Sequence, residues 1–557
     1  LPPYNAPKLS GCYRFLANAL IYIKFWRILM KLSKLGLAVA AVIGSSIGAE
    51  AMALDLYVDA KTKQIFAEPG PGRTKLGSFE KVEDTAAQKA EAQAQKVEIE
   101  HIKQDLALKN NELKALDEHI KDEKFGELQI NEKGIKFESK DGNFDMAING
   151  RMQIDSQTNV SGMSDVKPAT GASTTNQLAD GAGIRRARLG VEGSYFKDFL
   201  YKFEYDFTRG NGSVASSITD AYVAWKGYDP MIVKVGQFKE PFSLEEATSN
   251  RFLTFIERNN VVNAFSDNDN AYKVGLGVGY SQPRWTANLA LQTESVGSGG
   301  ASSSTSSNNA MGNANRNNGS GDTGWGVTGR VTGLPWFEDK TKFLHVGLSG
   351  SERQIDNNYL ANGTFNNGGI SFGNQLNTNV DRTYILNTGN LSNSNGSRIA
   401  QRVARFGGET AVVYGPFSAQ AEYIQANVSG KGYNDEMLNG WYGYASYFLT
   451  GESRAYKAST GAWDRIKPNQ NFSGRGGLGA WELAAGYDYL NLIDGQINGG
   501  RATTGKVALN WYPNSHIRLM ANFIHALNID TNGMAARSAA YNSRNFDVVE
   551  LRAQVDF

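Results

Sequence analysis

Basic residues recur in this chain where neighbouring residues alternate in polarity, and that spacing points to oxyanion coordination rather than catalysis. Arg186 and Arg188 share one face of an alternating run. A second group surrounds the segment between Phe242 and Tyr272, with Lys239 at its entry, Arg251 and Arg258 inside it and Lys273 at its exit. Guanidinium and ammonium groups can replace an oxyanion's water shell with charge-assisted hydrogen bonds while letting it move on between weak sites. Carboxylates stand near these cations, and the expected pairs are Glu192 with Arg188, Glu257 with Arg258, and Glu240 with Lys239. Such pairs keep their surroundings hydrated but cancel part of any preference for anions.

Other chemistries fit poorly. Cys12 is the only cysteine, and the five histidines show neither HExxH nor HxH spacing, so a thiolate cluster or zinc centre has no ligand set. Gly500–Lys506 reads Gly-x4-Gly-Lys, but Val507 stands where a nucleotide-binding loop carries Ser or Thr, and the surrounding pattern is strand. Asp267-Asn268-Asp269 lacks the glycine and distal glutamate of a calcium loop. No Ser/His/Asp order stands out, so neither an enzyme nor a cofactor is indicated. A net charge of +1 gives no electrostatic reason to expect a nucleic-acid partner.

The elements that would position the cations are strands. From about Phe144 onward, apolar and polar residues alternate in short runs separated by Gly, Asn, Ser and Asp clusters. Ala187, Leu189 and Val191 oppose Arg186, Arg188 and Glu192; Tyr201, Phe203, Tyr205 and Phe207 oppose Lys202, Glu204 and Asp206. Later, Trp481, Leu483, Ala485 and Tyr487 oppose Glu482 and Asp488, and the chain stops in a strand where Leu551, Ala553, Val555 and Phe557 alternate with Arg552, Gln554 and Asp556. With 24 Tyr, 27 Phe and 9 Trp at a mean hydropathy of −0.40, the pattern fits a transmembrane barrel, apolar outside, wet inside and girdled by aromatics. The bracket Tyr272…Tyr280 is one expected girdle pair. Long Gly/Asn/Ser-rich connections (295–324, 356–398, 451–479) and short turns (193–198, 415–416) are expected on opposite rims.

The region before the barrel divides into four parts. Residues 30–53 read as a signal peptide, with Lys31 and Lys34, an apolar run Leu35–Ile47 and small residues at Ala51-Met52-Ala53. Residues 1–29 are an awkward preface, read as an upstream start chosen in error. Residues 54–79 suggest a small strand–turn segment. Residues 80–124 are rich in Ala, Glu, Lys, Gln and Leu, and Ile99, Ile102, Leu106, Leu113, Leu116 and Ile120 fall into a heptad seam with Lys109 at its one polar position. That seam predicts a self-associating coiled coil.

The stretch Arg185-Arg186-Ala187-Arg188-Leu189-Gly190-Val191-Glu192-Gly193, then Phe203–Phe207 and Asp220–Val223, resembles the phosphate-selective porin O and P family. Val235–Glu245, with Thr248–Phe252 and Phe255–Arg258, carries the resemblance most specifically. The likeness is strong over 147–280 and weaker to Phe557, and it includes Leu54–Gly77 and the helix. It implies an all-β transmembrane barrel of about 16 antiparallel strands over 125–557, trimeric, in the bacterial outer membrane, with the coiled coil in the periplasm. The expected solutes are small inorganic anions such as phosphate, lining residues being Arg186, Arg188, Lys239, Arg251, Arg258 and Lys273. Outer-membrane lipid, lipopolysaccharide and the assembly machinery that reads Phe557 are the implied partners. The alternatives are a general or cation-tolerant porin, and a structural tether of the envelope.

Overall fold

The computed structural model describes residues 54–79, 87–122, 126–131, 134–161, 178–208, 218–267, 271–295, 324–355, 370–393, 395–534 and 539–557. The leader 30–53, the preface 1–29, both ends of the 80–124 segment and positions 268–270 lie outside them. The chain divides into two compact units, Leu1–Asp122 and Glu123–Phe557.

In the first unit, β1 (Leu54–Asp59), β2 (Ile65–Phe66) and β3 (Arg73–Phe79) form a sheet in the order β2–β1–β3. Arg73 stacks 3.5 Å over the Phe66 ring. The helix α1 (Ala87–Asp122) runs 36 residues. Its seam side chains Ile99, Ile102, Leu106 and Leu113 are 48, 46, 51 and 43% exposed, an apolar stripe that this chain leaves in water.

The second unit opens with the hairpin β4 (Glu127–Asn131) and β5 (Gly134–Glu138). Then come β6 (Phe144–Ser161), β7 (Gly181–Tyr195), β8 (Phe199–Asp206), β9 (Ile218–Tyr228), β10 (Met231–Lys239), β11 (Tyr272–Gln282), β12 (Trp285–Gln292), β13 (Trp325–Asp339) and β14 (Lys342–Gln354). After two short strands, β15 (Gly373–Asn374) and β16 (Leu386–Asn387), the wall resumes with β17 (Ile399–Tyr414), β18 (Phe417–Lys431) and β19 (Tyr433–Phe448). A second short pair, β20 (Tyr456–Lys457) and β21 (Ala462–Trp463), precedes β22 (Ala480–Asp494), β23 (Ile497–Tyr512), β24 (Ile517–Asp530) and β25 (Phe546–Asp556). The sixteen wall strands close an antiparallel barrel. Its seam joins β25 to β6, from Asp556↔Arg151 to Asp547↔Ser161. Phe557 and Gly150 exchange backbone hydrogen bonds of 3.1 Å, and β5 takes up pairing with β6 beyond them at Ile148–Asp145.

Polarity along each strand is inverted relative to a soluble sandwich. Leu551 is 51% exposed and Arg552 2%; Leu348 is 72% exposed and His345 0%. Apolar side chains on the outside and polar ones within are what a bilayer requires of a closed sheet. Aromatics stack near the turns of one rim, as in Tyr280–Trp285, Trp336–Tyr414 and Trp481–Trp511. Trp441 and Tyr487 meet midway along β19 and β22. Tyr272 departs from the expected bracket with Tyr280: it is buried, and its hydroxyl accepts a hydrogen bond from Arg188.

Strand direction assigns each connection to a rim. β6 begins and β25 ends at the same rim, which also carries the turns 196–198, 229–230, 283–284, 340–341, 415–416 and 513–516. The strands that flank 293–324 and 355–398 end at the opposite rim, as expected, and so do those that flank 240–271. Segment 449–479 differs: it joins β19 to β22 at the terminal rim among the short turns, and it folds into the lumen instead of lengthening a loop outside.

The lumen is also less wet than the alternation implies. Phe242, Phe255, Val261 and Phe265 from 240–267, together with Phe372, Leu376, Ile385 and Leu391 from 370–393, form one buried apolar cluster against inner-wall residues including Leu438, Tyr442 and Ile524. Part of the lumen is therefore a packed core.

Candidate pore constriction

Residues 240–267 are held inside the barrel, where each backbone polar group needs a protein or water partner. The segment enters through Pro241 and makes one helical turn, Leu244–Ala247, capped by Ser243, whose Oγ accepts from Glu246 N. The Glu422 carboxylate accepts the backbone N–H groups of Leu244 and Glu245 at 3.0 and 2.8 Å. Beyond the turn, inner-wall cations supply donors to its carbonyls. Arg552 donates to Ile256 O, Arg518 to Leu253 O, and Arg405 to Phe265 O at 2.8 Å. Asn510 donates to Thr254 O at 2.9 Å and Gln554 to Arg251 O at 3.1 Å. Close fit matters as well: a Cβ added at Gly440 would lie 2.9 Å from Val261 Cγ2.

From the other rim, segment 449–479 meets this loop in the lumen. Trp463 N donates to Thr248 Oγ1 at 3.3 Å, and its indole N–H donates to Gln420 Oε1 at 2.5 Å. Arg454 lies 4.1 Å over the Trp463 ring and donates to Tyr444 Oη. Arg330 reaches Gly461 O at 2.7 Å. The constriction is thus assembled from both rims, with 370–393 as a third support: Asn377 Nδ2 donates to Arg258 O at 3.0 Å and Asn374 Nδ2 to Asn260 O at 3.1 Å.

The six cations singled out from the sequence fall into three groups. Arg186 and Arg188 lie with Arg151 on the inner wall of β6 and β7. Arg188 pairs with Asp206 at 2.8 Å and Glu204 at 2.9 Å, and Arg186 donates to Gln153 at 3.0 Å and lies 3.9 Å from Glu257. Arg251 reaches toward the same group, 3.7 Å from Asp556 and 4.0 Å from Glu204. Lys239 and Arg258 share Glu246, at 2.6 and 3.0 Å. Lys273 stands apart, bordering a cavity of about 80 Å³ with Arg353 and Arg405.

Each expected partner is replaced. Glu192 lies 3.3 Å from Lys202, not against Arg188. Glu257 binds Arg185 and Arg552 at 2.9 and 2.8 Å instead of Arg258. Glu240 binds Arg405 at 2.9 Å and lies 3.7 Å from Arg353, away from Lys239. Asp206 is a buried ion-pair partner. The pairs join different strands, and sequence adjacency carries no information about that.

Within the loop, burial pushes the Glu245 carboxyl up to about 8, against the pull of Lys506. Burial acts in the same direction on Glu240, but Arg405 and Lys273 overcome it and hold that group at about 2. The positioning residues Arg151, Arg330, Arg353, Arg405, Arg454, Lys506, Arg518 and Arg552 escaped the sequence reading. Arg552 and Lys506 occur there, as strand punctuation and as part of a discarded motif. Their inward parity was the available signal.

Residues 148–557 match the family described as phosphate-selective porin O and P. The chain is similar to Porin O of Pseudomonas aeruginosa, 28% identical over 411 residues that cover 71% of this chain and 85% of that protein. It is also similar to an uncharacterised protein of Caulobacter vibrioides, 27% identical over 349 residues, covering 62% and 63%. Among solved structures, an anion-selective porin from Comamonas acidovorans aligns over 74% of this chain and 100% of its own, at a TM-score of 0.41 and 12% identity. OmpT of Vibrio cholerae with loop L8 deleted aligns over 74% and 100%, at 0.42 and 9%. The family match begins inside β6, so segment 54–77 and α1, included in the resemblance read from sequence, lie outside it.

Proposed function

The chain belongs to the phosphate-selective porin O and P family, and on that premise we propose that this outer-membrane porin passes small anions, phosphate among them, in preference to cations. The observation that carries the anion preference is unequal exposure within lumen ion pairs. Lys239 is 22% exposed and its partner Glu246 1%; Arg251 is 15% exposed against 1% for Glu204 and 2% for Asp556; Arg185 is 18% against 7% for Glu257; Arg465 is 20% against 2% for Asp556. The carboxylate is withdrawn and the cation keeps the water, so a permeating ion meets positive charge first. Lys202 and Arg353 run the other way, with the more exposed carboxylates Glu192 and Glu294. Those pairs, and the abundance of paired carboxylates, favour the rival reading of a general porin.

Reversal potentials of the reconstituted channel in a KCl gradient separate the two. Anion-side reversal is expected, moved toward the cation side in Lys239→Glu/Arg251→Glu; cation-side reversal of the wild type would overturn the anion claim. The same reading places the terminal rim in the periplasm, with α1 pairing along Ile99, Ile102, Leu106 and Leu113 in a homotrimer. It also has residues 30–53 removed as a signal peptide and Phe557 presented to the assembly machinery. Envelope tethering by α1 is tested by deleting 80–124: loss of envelope integrity with conductance kept would support it.

A further inference from the structure

Gln420 and Glu422 stand two residues apart on β18 and therefore share its inward face. Register sets Gln420 opposite Tyr444 and Glu422 opposite Tyr442 on β19. Every hydrogen-bonding position of the Gln420 amide is used. Its Oε1 accepts from the Trp463 indole at 2.5 Å and from Tyr444 Oη at 2.7 Å, while its Nε2 donates to Tyr442 Oη and, at 3.3 Å, to Glu422 Oε1. The Tyr442 hydroxyl donates onward to Glu422 at 2.5 Å. With donors on one side and acceptors on the other, the amide can point only one way.

These contacts close a circuit around the helical turn of the constriction loop. Glu422 takes the N–H groups of Leu244 and Glu245 where the turn begins. Where it ends, Thr248 Oγ1 accepts from Trp463 N at 3.3 Å and donates back to Leu244 O at 2.8 Å. Trp463 also shares an apolar cluster with Leu244. The turn in its place mounts two cations: Lys239 Nζ donates to Glu246 O at 2.8 Å, and Arg258 donates to Glu245 O at 3.3 Å and to Thr248 O at 3.2 Å. Gln420, Glu422, Tyr442, Tyr444, Trp463 and Thr248 are each at most 5% exposed, so none of them offers a solute a surface. Whatever they do to permeation, they do through the turn.

We propose that Gln420 and Glu422 are positioning residues that make ion preference at the constriction depend on where Trp463, brought in from the other rim, is seated. Trp463 fixes the Gln420 amide, Gln420 and Tyr442 fix the Glu422 carboxylate, and Glu422 fixes the turn with the Glu246 carboxylate withdrawn and Lys239 at the water. A turn freed from this circuit can bring Glu246 outward, which replaces a positive charge at the path by a neutral pair. Buried hydrogen-bond networks couple distant groups in this way because each member is held only while its neighbours are. The choice of Lys239 as the outward charge rests on the porin reading above; the coupling itself does not depend on which ion is preferred.

Reversal potentials of the reconstituted full chain in a KCl gradient, for Trp463→Phe, Gln420→Leu and the two combined, test it. Each exchange is neutral for neutral, so a change in preference cannot be a direct effect of charge. Each single variant should lower the anion-to-cation permeability ratio about two- to threefold, the lower range of coupling carried by single residues between sites. The double variant should fall no further than either single, because both break one circuit. Tyr456→Phe is the control: it removes only a hydroxyl, which anchors the same infold to His345 Nδ1 at 2.8 Å and lies outside the circuit, and the ratio should stay at the wild-type value. Unchanged ratios in both single variants overturn the proposal. So does a double variant whose fall is the product of the two singles, and so does an equal fall in Tyr456→Phe, which would make the effect a general loosening. Trp463→Phe keeps an aromatic ring in the apolar cluster and carries the test by itself if Gln420→Leu does not fold. A wild type that reverses on the cation side would remove the anion reading, and the shifts among the variants would still decide this one.

Discussion

Glu246 shows how one carboxylate can serve both architecture and selectivity. Buried between Lys239 and Arg258, it neutralises both cations, of which Lys239 keeps exposed surface and Arg258 does not. Replacing Glu246 with Gln should raise the anion-to-cation permeability ratio and also lower barrel stability by about 3–5 kcal/mol, the range for removing one partner of a buried ion pair. Reversal potentials and the temperature of the folded-to-unfolded gel shift would read the two effects separately. Glu245 makes a second prediction. Its carboxyl lies at about 8, so it is protonated at neutral pH, and raising the pH from 7 to 9 adds a negative charge to the constriction. Anion preference should fall over that interval in the wild type and stay level in Glu245→Gln. At this scale the sequence revealed which residues face inward but not their partners. Period-two alternation places Arg188 and Glu192 on one face, whereas register brings Asp206 across from Arg188 and Glu204 across from Gly190, on the diagonal.

The two infolded segments differ in how visible they were beforehand. Segment 240–271 betrayed itself as some thirty residues without alternation, too long for a turn between neighbouring strands. Segment 449–479 was equally visible as a connection but was placed with the long loops, because length alone says nothing about rim. Strand count does, since each crossing reverses direction, and the short strands around Gly373 and Tyr456 hide the count. The plug of Phe242, Phe255, Phe265 and Phe372 was illegible for another reason: its residues come from loops, where no period marks a buried face. Trp463 is the joint between the two infolds. Trp463→Ala should destabilise the barrel by about 3–5 kcal/mol, the usual cost of deleting a buried aromatic. It should also raise single-channel conductance and open-channel noise as 449–479 loosens. Gly440→Leu should push Val261 away from the wall and likewise raise conductance. Unchanged currents in both variants would mean that neither segment narrows the path.

For the molecule as a whole, the barrel was legible because a membrane imposes polarity on every wall strand, and the chain repeats that pattern to its last residue. The proposed trimer is a separate matter. α1 carries its seam in the open, and Leu106→Asp/Leu113→Asp should convert trimers to monomers in detergent if the helix holds them together; sedimentation showing trimers regardless would assign cohesion to the barrel walls. The seam between β25 and β6 has a consequence for biogenesis. Residues 151–161 must wait for 547–556 before the ladder on their second edge can form, so a partly synthesised chain is an open curtain with two unmated hems. Closure then acts as a proof of completeness: a chain cut short before β25 cannot make the final stitch, and would be left to proteolysis in place of becoming a leaking hole.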